Sequence, residues 1–219
     1  MQLIPRLSLG SLYLKLTQVA SELQVNATKI GRQFVRPKLP KNADSTVNLH
    51  LGSGSINHPN FINIDARPAS HIHYIRRIDL LSPFKDRSVD LIYACHCLEH
   101  FSHSDVDRIL GEWYRVLKPG ATIRLSVPDF DLILNIYQDQ QGDLAPITGL
   151  LMGGQDYTFN FHRTIFNRLS LETSLIKAGF EQVTPWQAGQ CEMTTFNDWS
   201  GRLLGGKYPV SLNLEATKV

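Results

Sequence analysis

Short apolar runs alternate with helical-period stretches along most of the chain. Val47–Leu51 reads as a brief strand ending in Gly52-Ser53-Gly54-Ser55, and Phe61–Ile64 and Ile72–Ile75 as the next two. Val89–Ala94 is nearly continuous in apolar residues, as a strand buried on both faces should be. Ser104 is a candidate cap for a helix carrying Val106, Ile109, Leu110, Trp113, Val116 and Leu117, stopped by Lys118-Pro119-Gly120. Ala121–Val127 is a fifth strand and Asp129–Tyr137 a helix. Ser170 is placed as the cap of a helix with Leu171, Leu175 and Ile176, stopped by Gly179; strands at Gln182–Thr184 and Val210–Leu214 follow. Strands alternating with helices predict an α/β fold with a doubly wound, mostly parallel sheet. In such sheets ligands sit beyond the carboxyl ends of the strands.

Two stretches break this rhythm. Residues 138–163 lack periodicity and contain Gly142, Pro146, Gly149, Gly153 and Gly154; a stretch that long is usually functional. At the other end, Leu12, Leu16, Val19, Leu23, Ala27, Ile30 and Phe34 share one helical face, and Pro37 and Pro40 close the segment. Residues 1–45 thus form a helical leader and linker, and 46–219 a single domain.

Charge sharpens that division. The net charge is +2, but residues 1–45 hold seven basic residues against Glu22 and Asp44, a balance of +5 that leaves −3 for the rest. The near-neutral domain argues against nucleic acid as a partner. The basic leader is open to four readings: packing on the main domain, peripheral contact with an anionic membrane surface, a dimer contact, and a disordered leader. Three cysteines, two of them at Cys95 and Cys97, do not form a secreted disulfide framework, so a reducing cytoplasm is expected.

Three strand ends carry candidate chemistry. The Leu51-Gly52-Ser53-Gly54 turn lets backbone approach a ligand closely. Asp65, at the second strand end, can accept hydrogen bonds from both hydroxyls of a ribose. Asp79 can take the exocyclic amine of an adenine while Leu80 packs on the ring. A dinucleotide fingerprint fits poorly, because its third glycine position is Asn57, followed by Pro59. Cys95, His96, Cys97 and His100 contain zinc-ligand types, but the two thiols alternate faces on an extended strand, and no metal is expected.

These residues, together with Leu49-His50-Leu51-Gly52-Ser53-Gly54, Ile62-Asn63-Ile64-Asp65, Asp90-Leu91-Ile92-Tyr93, Leu98-Glu99-His100-Phe101, Arg115-Val116-Leu117-Lys118-Pro119-Gly120 and Ser126-Val127-Pro128-Asp129-Phe130, resemble the class I S-adenosylmethionine-dependent methyltransferases. The resemblance is narrower to small methyltransferase-domain proteins often linked to cell-surface glycan synthesis. It implies a seven-stranded sheet with the last strand antiparallel. It also implies a methionine site at Leu51–Gly54, ribose on Asp65, adenine between Asp79 and Leu80, and the sulfonium methyl facing Cys95, His96 and His100. The chain departs from the pattern at His50, where an acid is usual, and at Ile56, where a third glycine is usual. The short interval before Asp65 predicts a first crossover with a short or missing helix.

The function this implies is methyl transfer to an oxygen (or nitrogen) of a small-molecule or glycan acceptor. An acceptor hydroxyl benefits from a nearby base, for which His96 is the first candidate and His100 the second; His103 and His162 lie close in the same reading. The alternative is a methyltransferase fold kept as a binding or scaffold module without transfer activity.

Overall fold

The computed structural model describes residues 37–190 and 197–219. The predicted leader helix over residues 12–34 lies outside the described residues, and residues 37–40 run without helix or strand. Among the described residues no helix is long and apolar enough to cross a membrane.

The seven strands of the main sheet are β1 (Asn48–Leu51), β2 (Ile62–Asp65), β3 (Tyr74–Ile75), β4 (Val89–Cys95), β5 (Leu117–Pro128), β6 (Phe180–Pro185) and β9 (Ser211–Lys218). Their order is β3-β2-β1-β4-β5-β9-β6. The pairings β1·β2, β1·β4, β2·β3 and β4·β5 are parallel. Strand β9 runs antiparallel to both its neighbours, Thr122 facing Thr217 and Phe180 facing Lys218. The predicted mostly parallel sheet with an antiparallel last strand is therefore observed. A hairpin of β7 (Leu203–Leu204) and β8 (Tyr208–Pro209) lies outside it.

No helix joins β1 to β2. Residues 52–61 form turns only, yet Leu49 pairs in parallel with Ile62. The return is short because β1 has only 4 residues, and at about 3.3 Å per residue a short extended link retraces that distance.

Alternation along β4 from Leu91 onward divides the core, with a register irregularity between Val89 and Leu91. Val89, Ile92 and Ala94 join the main cluster under α1 (Val106–Val116) and α4 (Arg168–Lys177), with Trp113, Leu171 and Leu175. Leu91, Tyr93 and Cys95 face the other way, into a smaller cluster with Phe61 and Trp186, flanked by Ile56 and Ala188. Helices α2 (Phe130–Asp139) and α3 (Thr148–Met152) close a third cluster through Ile133, Ile136 and Leu150.

Two caps differ from expectation. Asn167, not Ser170, caps α4; Ser170 sits three residues on and completes a capping box, its amide donating to Asn167 Oδ1 at 3.0 Å while its hydroxyl accepts from the Asn167 amide at 3.0 Å. Ser104 lies inside a 3₁₀ turn, His103–Asp105, that precedes α1.

The loop between β3 and β4 is anchored by α1. Trp113 Nε1 donates to the Ile78 carbonyl at 2.8 Å, and the Leu81 amide donates to Glu112 Oε1 at 2.6 Å. These bonds hold Arg77 and Ile78 at the edge of the site described next.

Candidate active site

A cavity of about 780 Å³ opens beyond the carboxyl ends of β1, β2 and β4. Its volume falls in the range of about 300–1,000 Å³ common for small-molecule sites. One end is formed by Gly52, Ser53, Gly54 and Asp65, and the other by Cys95, His96, Glu99, His100 and His162. The loop at 146–163 and the segment Asn197–Trp199 supply the remaining walls.

The glycine turn is built as the sequence requires. Gly52 has φ 64°, and a Cβ there would stand 2.8 Å from Cys97 Cβ. Its amide donates to the Ile64 carbonyl at 2.8 Å, and the Gly54 amide donates to Asp65 Oδ2 at 2.8 Å. Asp65 Oδ1 accepts from the Arg67 amide at 2.8 Å. Each carboxylate oxygen holds one backbone donor and keeps a second lone-pair direction. Ser53 Oγ is buried in the same wall with no hydrogen-bond partner among the described residues. This donor set fits a nucleoside cofactor: an acid with spare acceptor capacity for ribose hydroxyls, and an unsatisfied hydroxyl beside an open glycine turn.

The predicted adenine pair sits elsewhere. Asp79 and Leu80 do not line the cavity among the described residues, whereas their neighbours Arg77 and Ile78 do. Asp79 is held by Arg77, whose Nη2 lies 2.9 Å from Oδ2, and by Arg108 at 3.6 Å. The Arg77 guanidinium beside it holds the Asp79 carboxyl below its ordinary value. Leu80 is 55 % exposed. Leu51 is fully buried behind the turn and contributes its carbonyl, which accepts from Cys97 Sγ at 3.7 Å.

His50 occupies the position where an acid is usual. It is buried between Tyr93 and Phe61, with ring centroids 5.1 Å and 6.0 Å away. Burial, with His58 and His71 adding to it, lowers its pKa to about 3, so it is neutral. An acid from far along the chain meets the Tyr93 ring that packs on His50: Tyr93 donates its hydroxyl to Asp198 Oδ2 at 2.6 Å, and both His50 and Asp198 line the cavity. Spacing could not reveal Asp198, because the sheet alone brings it there.

At the opposite end three histidines surround Glu99. His96 has φ 49°, a strained value for a residue with a side chain. Its amide donates to the Ser126 carbonyl at 2.8 Å, and its ring stacks on Trp199 with centroids 5.7 Å apart. Ser211 donates its hydroxyl to the Trp199 carbonyl at 2.7 Å and so accepts from His96 Nε2 at 2.8 Å. That leaves His96 Nδ1 as an acceptor, 3.5 Å from Glu99 Oε1. His100 Nδ1 donates to the Phe161 carbonyl at 3.2 Å, and His162 Nδ1 to the Leu150 carbonyl at 2.9 Å. Both therefore keep a lone pair on Nε2, and His162 Nε2 lies 3.8 Å from Glu99 Oε1.

Burial lowers all three imidazoles, His96 to about 3, His162 to about 4 and His100 in the same direction. The same burial raises Glu99 to about 8. Sequence reasoning named His96, His100 and His162 but passed over Glu99, although it stands in the Leu98-Glu99-His100 run directly past a strand end. Cys95 and Cys97 are free and buried, and burial pushes both thiols well up.

The methyltransferase domain family matches residues 58–125 of the chain. Over that stretch the chain is similar to a methyltransferase domain. Its curated relatives include the ubiquinone/menaquinone biosynthesis C-methyltransferase UbiE of Pseudoalteromonas translucida, 28 % identical over 121 residues, which are 52 % of this chain and 47 % of that protein. The demethylmenaquinone methyltransferase of Lactiplantibacillus plantarum is 32 % identical over 108 residues, 46 % of this chain and 45 % of that protein. The chain thus matches about half the length of these relatives. A solved S-adenosylmethionine-dependent methyltransferase from Thermotoga maritima is 17 % identical with TM-score 0.51, the match covering 94 % of this chain and 92 % of that one. Another from Methanosarcina mazei is 20 % identical with TM-score 0.50, covering 87 % and 97 %. At such identities these two structures speak to the fold alone. S-Adenosylmethionine is accordingly the cofactor whose site Gly52–Gly54 and Asp65 would form.

Proposed function

We propose that the chain transfers a methyl group from S-adenosylmethionine to an oxygen of a small-molecule acceptor bound at the histidine end of the cavity. The observation that carries this reading is one continuous cavity joining the Gly52–Asp65 end to the Glu99, His100 and His162 end. When bound, the cofactor supplies a methyl carbon already activated by positive sulfur. The protein's remaining task is alignment, with a proton acceptor beside the incoming nucleophile. His100 and His162 are better suited to that role than His96. Their Nε2 lone pairs remain available, whereas His96 has Nε2 on Ser211 and Nδ1 turned to Glu99. Positions Gly52, Ser53, Gly54 and Asp65 remain the proposed cofactor contacts, with Arg77 and Ile78 replacing Asp79 and Leu80 at the adenine end.

A second reading places the methyl on carbon of a hydroxylated aromatic ring. The names of the relatives suggest it, and so do the aromatic rings lining the cavity, Phe159, Phe161 and Trp199, the first two 42 % and 38 % exposed. Loss of a ring hydroxyl proton activates the adjacent carbon, so the same base serves both outcomes. A glycan hydroxyl is the third acceptor class, and stacking on these aromatics would suit it too. The buried free thiols support a reducing compartment.

The test uses methyl-labelled cofactor with hydroquinones, catechols and sugar nucleotides as acceptors. A product heavier by one methyl is expected, and its NMR spectrum distinguishes oxygen from carbon attachment. Failure to bind S-adenosylhomocysteine at millimolar concentration would reject the reading in favour of a module without transfer activity.

A further inference from the structure

Glu99 is 1 % exposed, and neither carboxylate oxygen has a hydrogen-bond partner among the described residues. A buried carboxyl without donors is retained only where something offsets its desolvation. The two nitrogens placed nearest its Oε1, His96 Nδ1 at 3.5 Å and His162 Nε2 at 3.8 Å, are acceptors, because each ring hydrogen sits on the other nitrogen. A proton on Glu99 could satisfy one of those lone pairs. A cation satisfies several at once and supplies the missing counter-charge.

The geometry points to a divalent metal site formed by Glu99, His100 and His162, for an ion of the zinc class. Each residue offers one ligand atom, and the three atoms lie within 4.8 Å of one another. Two imidazoles and one carboxylate are the ligand set of catalytic zinc sites that keep an open position. Imidazole ligands also disfavour magnesium and calcium, which take oxygen. Bonds of about 2.0–2.2 Å let two ligands stand at most about 4.4 Å apart, so binding draws the three side chains together slightly. The supporting contacts already exist, because the His100 and His162 Nδ1 atoms donate to the Phe161 and Leu150 carbonyls. Metal-ligating histidines are held in this way, with the second nitrogen on a carbonyl or carboxylate.

This is not the cysteine–histidine set considered from the sequence. Cys97 packs its Cβ on Gly52 and donates to the Leu51 carbonyl. The ligands instead come from two distant segments, residues 99–100 after β4 and His162 in the loop after α3. All three line the cavity at its proposed acceptor end. With the ion held, the His100 and His162 lone pairs are committed to it and no longer serve as the base; an acceptor hydroxyl taking the open position would instead ionise more readily, since a bound ion stabilises the oxyanion. That consequence rests on the methyl-transfer reading; metal binding does not.

The probe is Co²⁺, titrated into the metal-free full chain and followed by its visible d–d absorption, with Zn²⁺ as competitor. One site per chain, emptied of Co²⁺ by Zn²⁺, is expected. Glu99→Gln and His162→Ala should each weaken binding by about tenfold or more, on the scale that metal sites lose when even a supporting contact is removed. The exposed His103→Ala should leave it unchanged. S-Adenosylhomocysteine affinity, measured on the same samples, checks folding; if Glu99→Gln fails that check, His100→Asn takes its place. Absence of the cobalt band in a parent protein that binds S-adenosylhomocysteine would overturn the site. So would variants that bind cobalt as the parent does. Cobalt binding without S-adenosylhomocysteine binding would instead leave the metal site standing and remove the methyl-transfer reading.

Discussion

The amide of Gly54 donates to Asp65 Oδ2 at 2.8 Å, so the turn after β1 and the acid after β2 are one unit. Asp65→Ala removes both the proposed ribose acceptor and the anchor of that turn. Hydrogen bonds to a charged group contribute about 1.5–3 kcal/mol each, so affinity for S-adenosylhomocysteine should fall by about ten- to a hundredfold per bond lost. Calorimetric titration measures this, and an unchanged affinity would remove Asp65 from the site.

Acid should unfold the protein earlier than its carboxylates alone predict. His50 and His96 both drop from 6.5 to about 3 in the folded state, chiefly through burial. The unfolded chain therefore binds more protons between those values. Stability from these groups is full above pH 6.5 and lost as pH falls toward 3, with a slope approaching about 1.4 kcal/mol per pH unit for each. Denaturant titrations at several pH values should show His50→Phe with a shallower acid limb than the parent. An identical limb would mean His50 is not buried neutral.

Gly153 governs the position of His162. It has φ 77°, and an added Cβ would lie 2.6 Å from the Asn160 carbonyl oxygen and 3.1 Å from His162 Cδ2. Gly153→Ala should therefore displace the loop at about 1–3 kcal/mol of local strain. Turnover should collapse while S-adenosylhomocysteine affinity stays within about threefold, since the proposed cofactor contacts lie at the other end of the cavity. Loss of both together would show that the two ends are not separable.

Tyr93→Phe tests the contact that holds Asp198 at the cavity. The hydroxyl now donates to Asp198 Oδ2 at 2.6 Å, and its removal should destabilise the fold by about 1 kcal/mol, the net contribution of a hydrogen bond, since Asp198 is only half-buried. Thermal unfolding reads that loss. A variant as stable as the parent would show that water replaces the hydroxyl freely.

The residues that made the class legible are mostly not those that line the cavity. Asp90 and Lys118 stand at the starts of β4 and β5 and Arg115 in the last turn of α1: Asp90 Oδ2 accepts from the Val47 amide at 2.9 Å, Lys118 Nζ reaches Asp90 at 2.8 Å, and Arg115 donates to Glu112 and Asp86. They stand at the end of the strands away from the site, where they lock β1, β4 and β5 together. Glycine turns and strand-end acids were also readable, since they follow directly from local chain geometry. Asp79 and Leu80 stand off the cavity lining, and nothing local foretells the long-range Arg108 contact that Asp79 makes beside Arg77. Asp198 and the pairing of Glu99 with His162 were illegible for a different reason. They meet only through the sheet and the loops it carries, across long stretches of chain.

The position of β9 also bears on how the protein reaches its native state. It inserts between β5 and β6 although both precede it in the chain, so Thr122 must wait for Thr217 and Phe180 for Lys218. Until it docks, β5 and β6 each present an unpaired edge, and Ser211 is not yet in place to hold His96. Such long-range closure makes folding slow and leaves sticky strand edges exposed in the interval. The histidine end of the cavity should accordingly be among the last features to form, and refolding yield should fall with protein concentration well before native stability does.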